Sequence, residues 1–156
     1  AFVQQYAQFG LKSEVPLAGA GFLTDPEVLD EMGDAALGIT TCLHYTTALQ
    51  TPENQRFVQG FTAKTGRRPS FSSEYGYVVA QVIAEALKQA GGDFASPDAF
   101  AKTLAGLSFE APRGPFRFDP KTHNVINSAY LMRVERVGPR LDNVVLETER
   151  NIADPG

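Results

Sequence analysis

Apolar positions in the first ten residues recur at helical spacing. Phe2, Val3, Tyr6 and Phe9 share a face, and Gly10 follows as a stop. No capping residue, initiator Met or signal peptide precedes them. The segment reads as the last turns of a helix begun earlier, so the chain is expected to be the back part of a longer protein. Glu14 to Ala18 is short and apolar and predicts a buried strand, with the turn Gly19-Ala20-Gly21 at its C-terminal end. Thr24 or Asp25 caps a helix over Asp25 to Met32, with Pro26 in its first turn and Gly33 as its stop. Ala36 to Cys42, rich in small and β-branched residues, predicts a second strand, and His44 to Gln50 a loop.

Thr51-Pro52-Glu53-Asn54 opens a longer helix with Phe57, Val58 and Phe61 as its stripe and Gly66 as its end. Ser72 or Ser73 caps a helix that runs to Ala90 and stops at Gly91-Gly92. Tyr75, Val78, Val79, Val82, Ile83, Ala86 and Leu87 form one broad face, which predicts a mostly buried helix. A further helix runs from Pro97 to Leu107 behind Ser96. The period then changes from 3.6 to 2. Gly114 to Phe118 alternates, Asp119-Pro120-Lys121-Thr122 turns, and Ser128 to Val137 with Leu141 to Glu147 forms a hairpin around Gly138-Pro139. The order βαβ-α-α-α-βββ predicts an α/β fold with a parallel, doubly wound sheet in front and an antiparallel C-terminal hairpin.

Composition removes several function classes. Among 156 residues the net charge is −4, which argues against nucleic acid or an anionic membrane surface as the partner. One cysteine rules out an internal disulfide and a four-Cys zinc site, and two histidines leave little for a metal centre. No apolar run approaches the roughly 18 residues that span a bilayer. No cofactor or metal is expected, and no nucleotide-binding or nucleophile-elbow motif is present.

The pair Cys42 and His44, two apart in an extended segment, can share a face and so form a thiol–imidazole dyad. No Asn or Asp is placed to orient the imidazole, and free Cys serves commonly as a small buried hydrophobe. His123 lies in Asp119-Pro120-Lys121-Thr122-His123-Asn124, where turn chemistry accounts for every residue. Gly19-Ala20-Gly21-Phe22 marks a place where backbone can approach a ligand. Tyr45 in the loop after the second strand, and Tyr75 and Tyr77 at a helix start, occupy typical ligand-lining places of α/β folds; half-buried packing accounts for each of them equally well. Lys64, Arg67 and Arg68 read as a solvated basic loop, or as a contact for a transporter.

The ordered set Thr51-Pro52-Glu53-Asn54-Gln55-Arg56-Phe57, Gly66-Arg67-Arg68-Pro69, Tyr75-Gly76-Tyr77, Ala84-Glu85-Ala86-Leu87, Leu104 to Glu110, Arg113 to Asp119 and Tyr130 to Val134 resembles the C-terminal half of type I periplasmic binding proteins, in the leucine/isoleucine/valine-binding branch that serves ABC importers. The resemblance implies a non-enzymatic, two-lobed trap that closes on a small solute in the cleft. It places residues 1–49 in the second lobe, the helices of 50–110 in the first, and 111–156 back in the second. The remaining half of the same protein and the importer's membrane subunits are the implied partners, and the location is periplasmic, or extracytoplasmic with a lipid anchor. The implied ligand-binding residues are Ala20, Gly21, Phe22, His44, Tyr45 and Tyr77. Amino-acid-binding relatives carry a glutamate for the ligand's ammonium in the turn after the first strand; here the residue is Ala20. A buried ammonium without its counter-charge costs several kcal/mol, so an aromatic or other carboxylic acid is favoured over a free amino acid. Two alternatives stand beside this reading: a ligand-sensing domain of a receptor or regulator with the same fold, and an α/β enzyme using Cys42 and His44.

Overall fold

Alternation along a single thirteen-residue strand organises the protein. The computed structural model describes residues 1–92 and 96–155; residues 93–95, inside the predicted 50–110 segment, and residue 156, at the end of the 111–156 segment, lie outside them. The helices are α1 (Phe2–Gln8), α2 (Pro26–Met32), α3 (Pro52–Thr65), α4 (Phe71–Gln89) and α5 (Pro97–Ala105). The strands are β1 (Ala18–Ala20), β2 (Thr40–Leu43), β3 (Ser108–Ala111), β4 (Gly114–Phe118), β5 (Val125–Val137) and β6 (Arg140–Ile152). The sheet order is β1-β2-β5-β4-β3, with β6 also paired to β5. β1 and β2 are parallel, and every other pairing is antiparallel. This is an α/β fold with a mixed sheet and the C-terminal hairpin expected from the sequence.

Ile126, Ser128, Tyr130, Met132 and Val134 of β5 are buried, and the residues between them are not. That face of the strand feeds two clusters, and Val125 at the strand's start joins a third. Val134 packs with Val3, Leu29, Ala36, Ile39 and Leu141. Tyr130 and Met132 pack with Tyr45, Leu49 and Phe57. Val125 lies against Val78, Ala111 and Phe116.

The helix starts follow their local chemistry. Asp25, Thr51 and Ser96 cap α2, α3 and α5, each followed by proline at the first position. Gly66 ends α3 at φ +69°, the left-handed conformation glycine takes without steric cost. For α4 the cap is Ser70, not Ser72 or Ser73; Ser70 and Ser73 bond reciprocally across the first turn. The predicted burial of α4 is also corrected. Val78 and Ala86 are buried, whereas Tyr75, Tyr77, Val79 and Ile83 are exposed.

Further expectations are corrected. The first strand begins at Ala18 rather than spanning Glu14 to Ala18, and its residues are exposed, not buried. Pro16 has no N–H for a ladder, so the preceding segment runs as a loop in which the Val15 carbonyl accepts from Tyr6 Oη. The second strand begins at Thr40: residues Gly33–Ala36 form a 3₁₀ turn, and Gly38 at φ +83° breaks the extension. Cys42 is exposed on β2, so it is not a buried hydrophobe. In α1 only Val3 and Tyr6 are buried, while Phe9 is 80% exposed. Strand β3, absent from the sequence reading, extends the sheet, and β6 continues five residues past Glu147 to Ile152. His123 sits in a turn in which Asp119 Oδ1 accepts from the backbone N–H of Lys121 and Thr122.

Asn54 ties the loop after β2 to α3. Its Oδ1 accepts from Tyr45 Oη at 3.0 Å, and its Nδ2 donates to the carbonyls of Thr47 at 3.0 Å and Leu49 at 2.8 Å. Asn54→Ala strands a buried hydroxyl and a buried carbonyl, so it should lower unfolding free energy by about 2–4 kcal/mol, read as a fall in the urea midpoint at unchanged slope.

Candidate functional site

In an open α/β sheet the carboxyl ends of parallel strands face the ligand crevice. Here those ends belong to β1 and β2. Gly21 and Phe22 follow β1; His44 and Tyr45 follow β2. The first turn of α4 lies against them. Asp25, which caps α2 through Oδ1, also accepts the Phe71 N–H on Oδ2 at 3.0 Å, and so fixes where α4 begins.

This arrangement brings four side chains into one patch. The rings of Phe22 and Phe71 stand 5.1 Å apart, and those of His44 and Tyr75 stand 6.0 Å apart, edge to face. Phe22 is 55% exposed, so a large apolar ring is offered to a ligand rather than spent in the core. Ala20, the last residue of β1, is exposed beside Cys42 in the register. Gly21 is a close-approach glycine: a Cβ there would sit 2.4 Å from Leu43 Cβ. Its role is to let β1 leave the sheet against β2.

Behind the patch lies a buried ion pair that the sequence reading missed. Glu74 is fully buried, and Arg113, from the turn between β3 and β4, is nearly so. Arg113 Nε donates to Glu74 Oε1 at 2.8 Å, and Nη2 donates to Oε2 at 2.6 Å. The guanidinium carbon lies 5.2 Å over the Tyr75 ring. The Tyr130 hydroxyl donates to the Arg113 carbonyl at 2.6 Å, so β5 sets the position of the turn. The signal in the sequence was a glutamate on the buried stripe of α4, four residues before Val78.

His44 Nε2 lies 4.0 Å from Glu74 Oε2, beyond hydrogen-bond reach, and it is buried without a partner. Burial, and secondarily the Arg113 charge, lower the imidazole from its ordinary 6.5 to about 4. The ring is therefore neutral at pH 7. Burial raises the Glu74 carboxyl above the usual carboxylate range, and the Arg113 bonds oppose that shift.

The other two tyrosine candidates lie apart. Tyr45 is buried in the second cluster with its hydroxyl on Asn54 and its ring against Phe57, and burial drives its pKa upward. The Tyr77 ring meets Phe57 at a tilt, with centroids 4.8 Å apart. Two residues along a helix point to nearly opposite sides, which separates Tyr77 from Tyr75. Beneath the patch, a cavity of about 10 Å³ bounded by Gly21, Leu43, Tyr45, Phe71, Met132 and Asn143 has room for no more than a water. Among the described residues no three His, Cys, Asp or Glu side chains are grouped to hold a metal ion.

Comparison with known proteins gives consistent matches. The family profile described as periplasmic binding protein matches residues 1–139. An ABC transporter substrate-binding protein from Sphaerobacter thermophilus is 37% identical with a TM-score of 0.92, over 96% of this chain and 41% of that one. The solute binding protein of an ABC transporter from Rhodopseudomonas palustris BisB5, solved in complex with 3,4-dihydroxy benzoic acid, is 35% identical with a TM-score of 0.91, over 99% of this chain and 42% of that one. The Leu/Ile/Val-binding protein homolog 6 of Brucella abortus (strain 2308) is 30% identical over 99% of this chain. The chain spans 40% of that curated relative's length.

The His44 shift has a sign that can be checked. A histidine lowered in the folded state stabilises the fold above its unfolded value of 6.5, and that stability is lost as pH falls toward about 4. Urea midpoints should decline across this window, and His44→Gln should remove part of the slope.

Proposed function

The chain belongs to the periplasmic binding protein family, and we propose that it forms part of the extracytoplasmic solute-binding component of an ABC importer, whose solute is an aromatic carboxylic acid. The rest of the same protein completes the trap, with residues 1–49 and 111–156 in one lobe and the helices of 50–110 in the other. The activity is capture, not catalysis. Ligand bridges the lobes and shifts the population from open to closed, which requires about 5 kcal/mol of preference for the closed state. The membrane subunits of the importer would receive the closed form.

One observation carries the choice of ligand. The carboxylates beside the patch are already spent, while its exposed rings are not. Glu74 gives both oxygens to Arg113, and Asp25 gives both to backbone N–H groups. Ala20 supplies none. An α-ammonium entering here would be desolvated without a counter-charge. A flat aromatic acid meets the opposite situation. Phe22, Phe71 and Tyr75 offer ring faces and edges. The 3,4-dihydroxybenzoic acid complex of the Rhodopseudomonas relative supports the same class. Of the residues expected from the sequence, the reading relies on Gly21 and Phe22, with Phe71 and Tyr75 added; His44 takes part through its ring, edge to face with Tyr75. Ala20 enters by the charge it lacks. Tyr45 ties the loop after β2 to α3, and Tyr77 ties α4 to α3.

The test is a thermal-shift series on the full-length protein. Benzoate and 3,4-dihydroxybenzoate should raise the melting temperature in a concentration-dependent way, and leucine should not. A shift with leucine and none with the aromatic acids would overturn the ligand class. Phe22→Ala, at an exposed site, should weaken aromatic-acid binding by about tenfold with little change in unliganded stability.

A further inference from the structure

We infer that the outward side of α4, with the apolar groove between α3 and α4, is a seam on which the rest of the same polypeptide packs. This rests on the reading of the chain as part of a longer, two-lobed binding protein. It names the surface through which the two parts hold together.

The polarity of α4 is inverted. A helix on a free surface turns its charges to water and its apolar stripe to the core. At about 100° per residue, Val79, Ile83, Gly76, Ala80, Ala84 and Tyr77 follow one another around roughly 160° of the side opposite Val78. All six are exposed. No charged residue falls in that arc; the charges of the helix, Glu74, Glu85 and Lys88, lie outside it, and Glu74 is fully buried. A helix apolar on all sides belongs in an interior. Val78 meets Ala111 and Phe116 on one side, and among the described residues nothing covers Val79 and Ile83 on the other.

Two glycines mark the same surface. Gly60 in α3 and Gly76 in α4 are interior helix positions at which a Cβ would meet nothing within 4 Å. Local packing therefore asks for no glycine there, and each loosens its helix relative to alanine. A missing side chain is useful where another backbone comes close. Gly60 lies with Phe57, Phe61 and Tyr77 along a groove of about 270 Å³. Around α4, Tyr77 adjoins Ala84, so the groove and the charge-free face form one surface.

Length and area identify the occupant. The match covers 41% of the Sphaerobacter relative and 42% of the Rhodopseudomonas relative, so more than half of each lies outside it. The sheet is also open at one edge: β1 is its last strand, and Ala18, Gly19 and Ala20 are exposed with no charge or proline to blunt it. A second copy fits α4 poorly. The 19 residues of the helix are about 28 Å long and about 10 Å across, which gives a strip of roughly 300 Å². Separate chains associate stably through about 800 Å² from each partner. A segment of the same polypeptide loses no translational freedom on docking, so the smaller strip suffices.

Thiol labelling of the full-length protein tests this, with its other cysteines, Cys42 among them, replaced by serine. Ile83→Cys should react with a maleimide about 100-fold more slowly than Val137→Cys under native conditions, and at the same rate in urea. Val137 is 53% exposed and Ile83 51%, but Val137 sits among Glu135, Arg136 and Arg140. Equal native rates overturn the proposal. Protection that is lost on dilution also overturns it, because the occupant is then a second copy. Ile83→Ala gives an independent reading. On a free face alanine, the better helix former, leaves the melting temperature unchanged or raises it; in a seam the lost packing lowers it by about 5 °C. A temperature unchanged or raised counts against the seam. Neither measurement reads a ligand. If Ile83→Cys is protected but no aromatic acid shifts the melting temperature, the seam stands and the solute reading falls. If aromatic acids shift it while Ile83→Cys labels freely, the solute reading stands and the seam falls.

Discussion

The register of β5 is the constraint on which the rest of the structure depends. Its buried residues alternate from Ile126 to Val134; Tyr130, Met132 and Val134 serve two hydrophobic clusters, and Val125 joins the third. A one-residue slip would turn that whole set outward, because side chains on a strand repeat every two residues. β2, β4 and β6 are all paired to this one strand. The same register places Tyr130, whose ring packs in the second cluster and whose hydroxyl reaches the Arg113 carbonyl. Core packing and site geometry thus meet in one side chain. Tyr130 fixes Arg113, Arg113 fixes Glu74, and Glu74 stands too far from His44 to bond it.

What was legible in the sequence is what local chemistry decides. Thr51-Pro52 and Ser96-Pro97 cap helices because the side-chain oxygen and the fixed proline angle act within one turn. Gly66 and Gly138-Pro139 mark stops and turns for similarly local reasons. Strand boundaries were less legible. Pro16 and Gly38 each shift the start of a strand, although the apolar runs around them read as continuous. The phase of α4 was misjudged for another reason. Seven apolar or aromatic residues suggested a broad buried face, but the side that meets the core is the narrow stripe of Glu74, Val78 and Ala86. A charged residue on that stripe was the clue to a buried pair, and it pointed to no partner because Arg113 is 39 residues away.

The candidate site divides in the same manner. Phe22 and His44 could be anticipated because each directly follows a strand end. Phe71, Glu74 and Arg113 could not, since their contribution depends on where α4 docks, and that is set by Asp25 accepting the Phe71 N–H. Tyr45 and Tyr77 show the limit of arguing from residue type. Both are tyrosines at the ends or starts of elements, yet one is consumed by a hydrogen bond to Asn54 and the other by a ring contact with Phe57.

A buried ion pair is weak support for a fold, because desolvating two charges offsets most of their attraction. Glu74 and Arg113 are therefore poorly explained as a stabilising element, and an apolar pair would fill the space at no greater cost. Their value lies in what they withhold. Leaving a free carboxylate at the carboxyl ends of β1 and β2 would attract an ammonium and charge His44. Leaving a free guanidinium would hold any anion without regard to shape. Paired, the two cancel, and the exposed patch is left with rings. On the aromatic-acid proposal, such a surface would discriminate by flatness rather than by net charge. In this protein the charges that would be simplest to use for binding are instead turned on each other, and under the proposed function selectivity would follow from their removal.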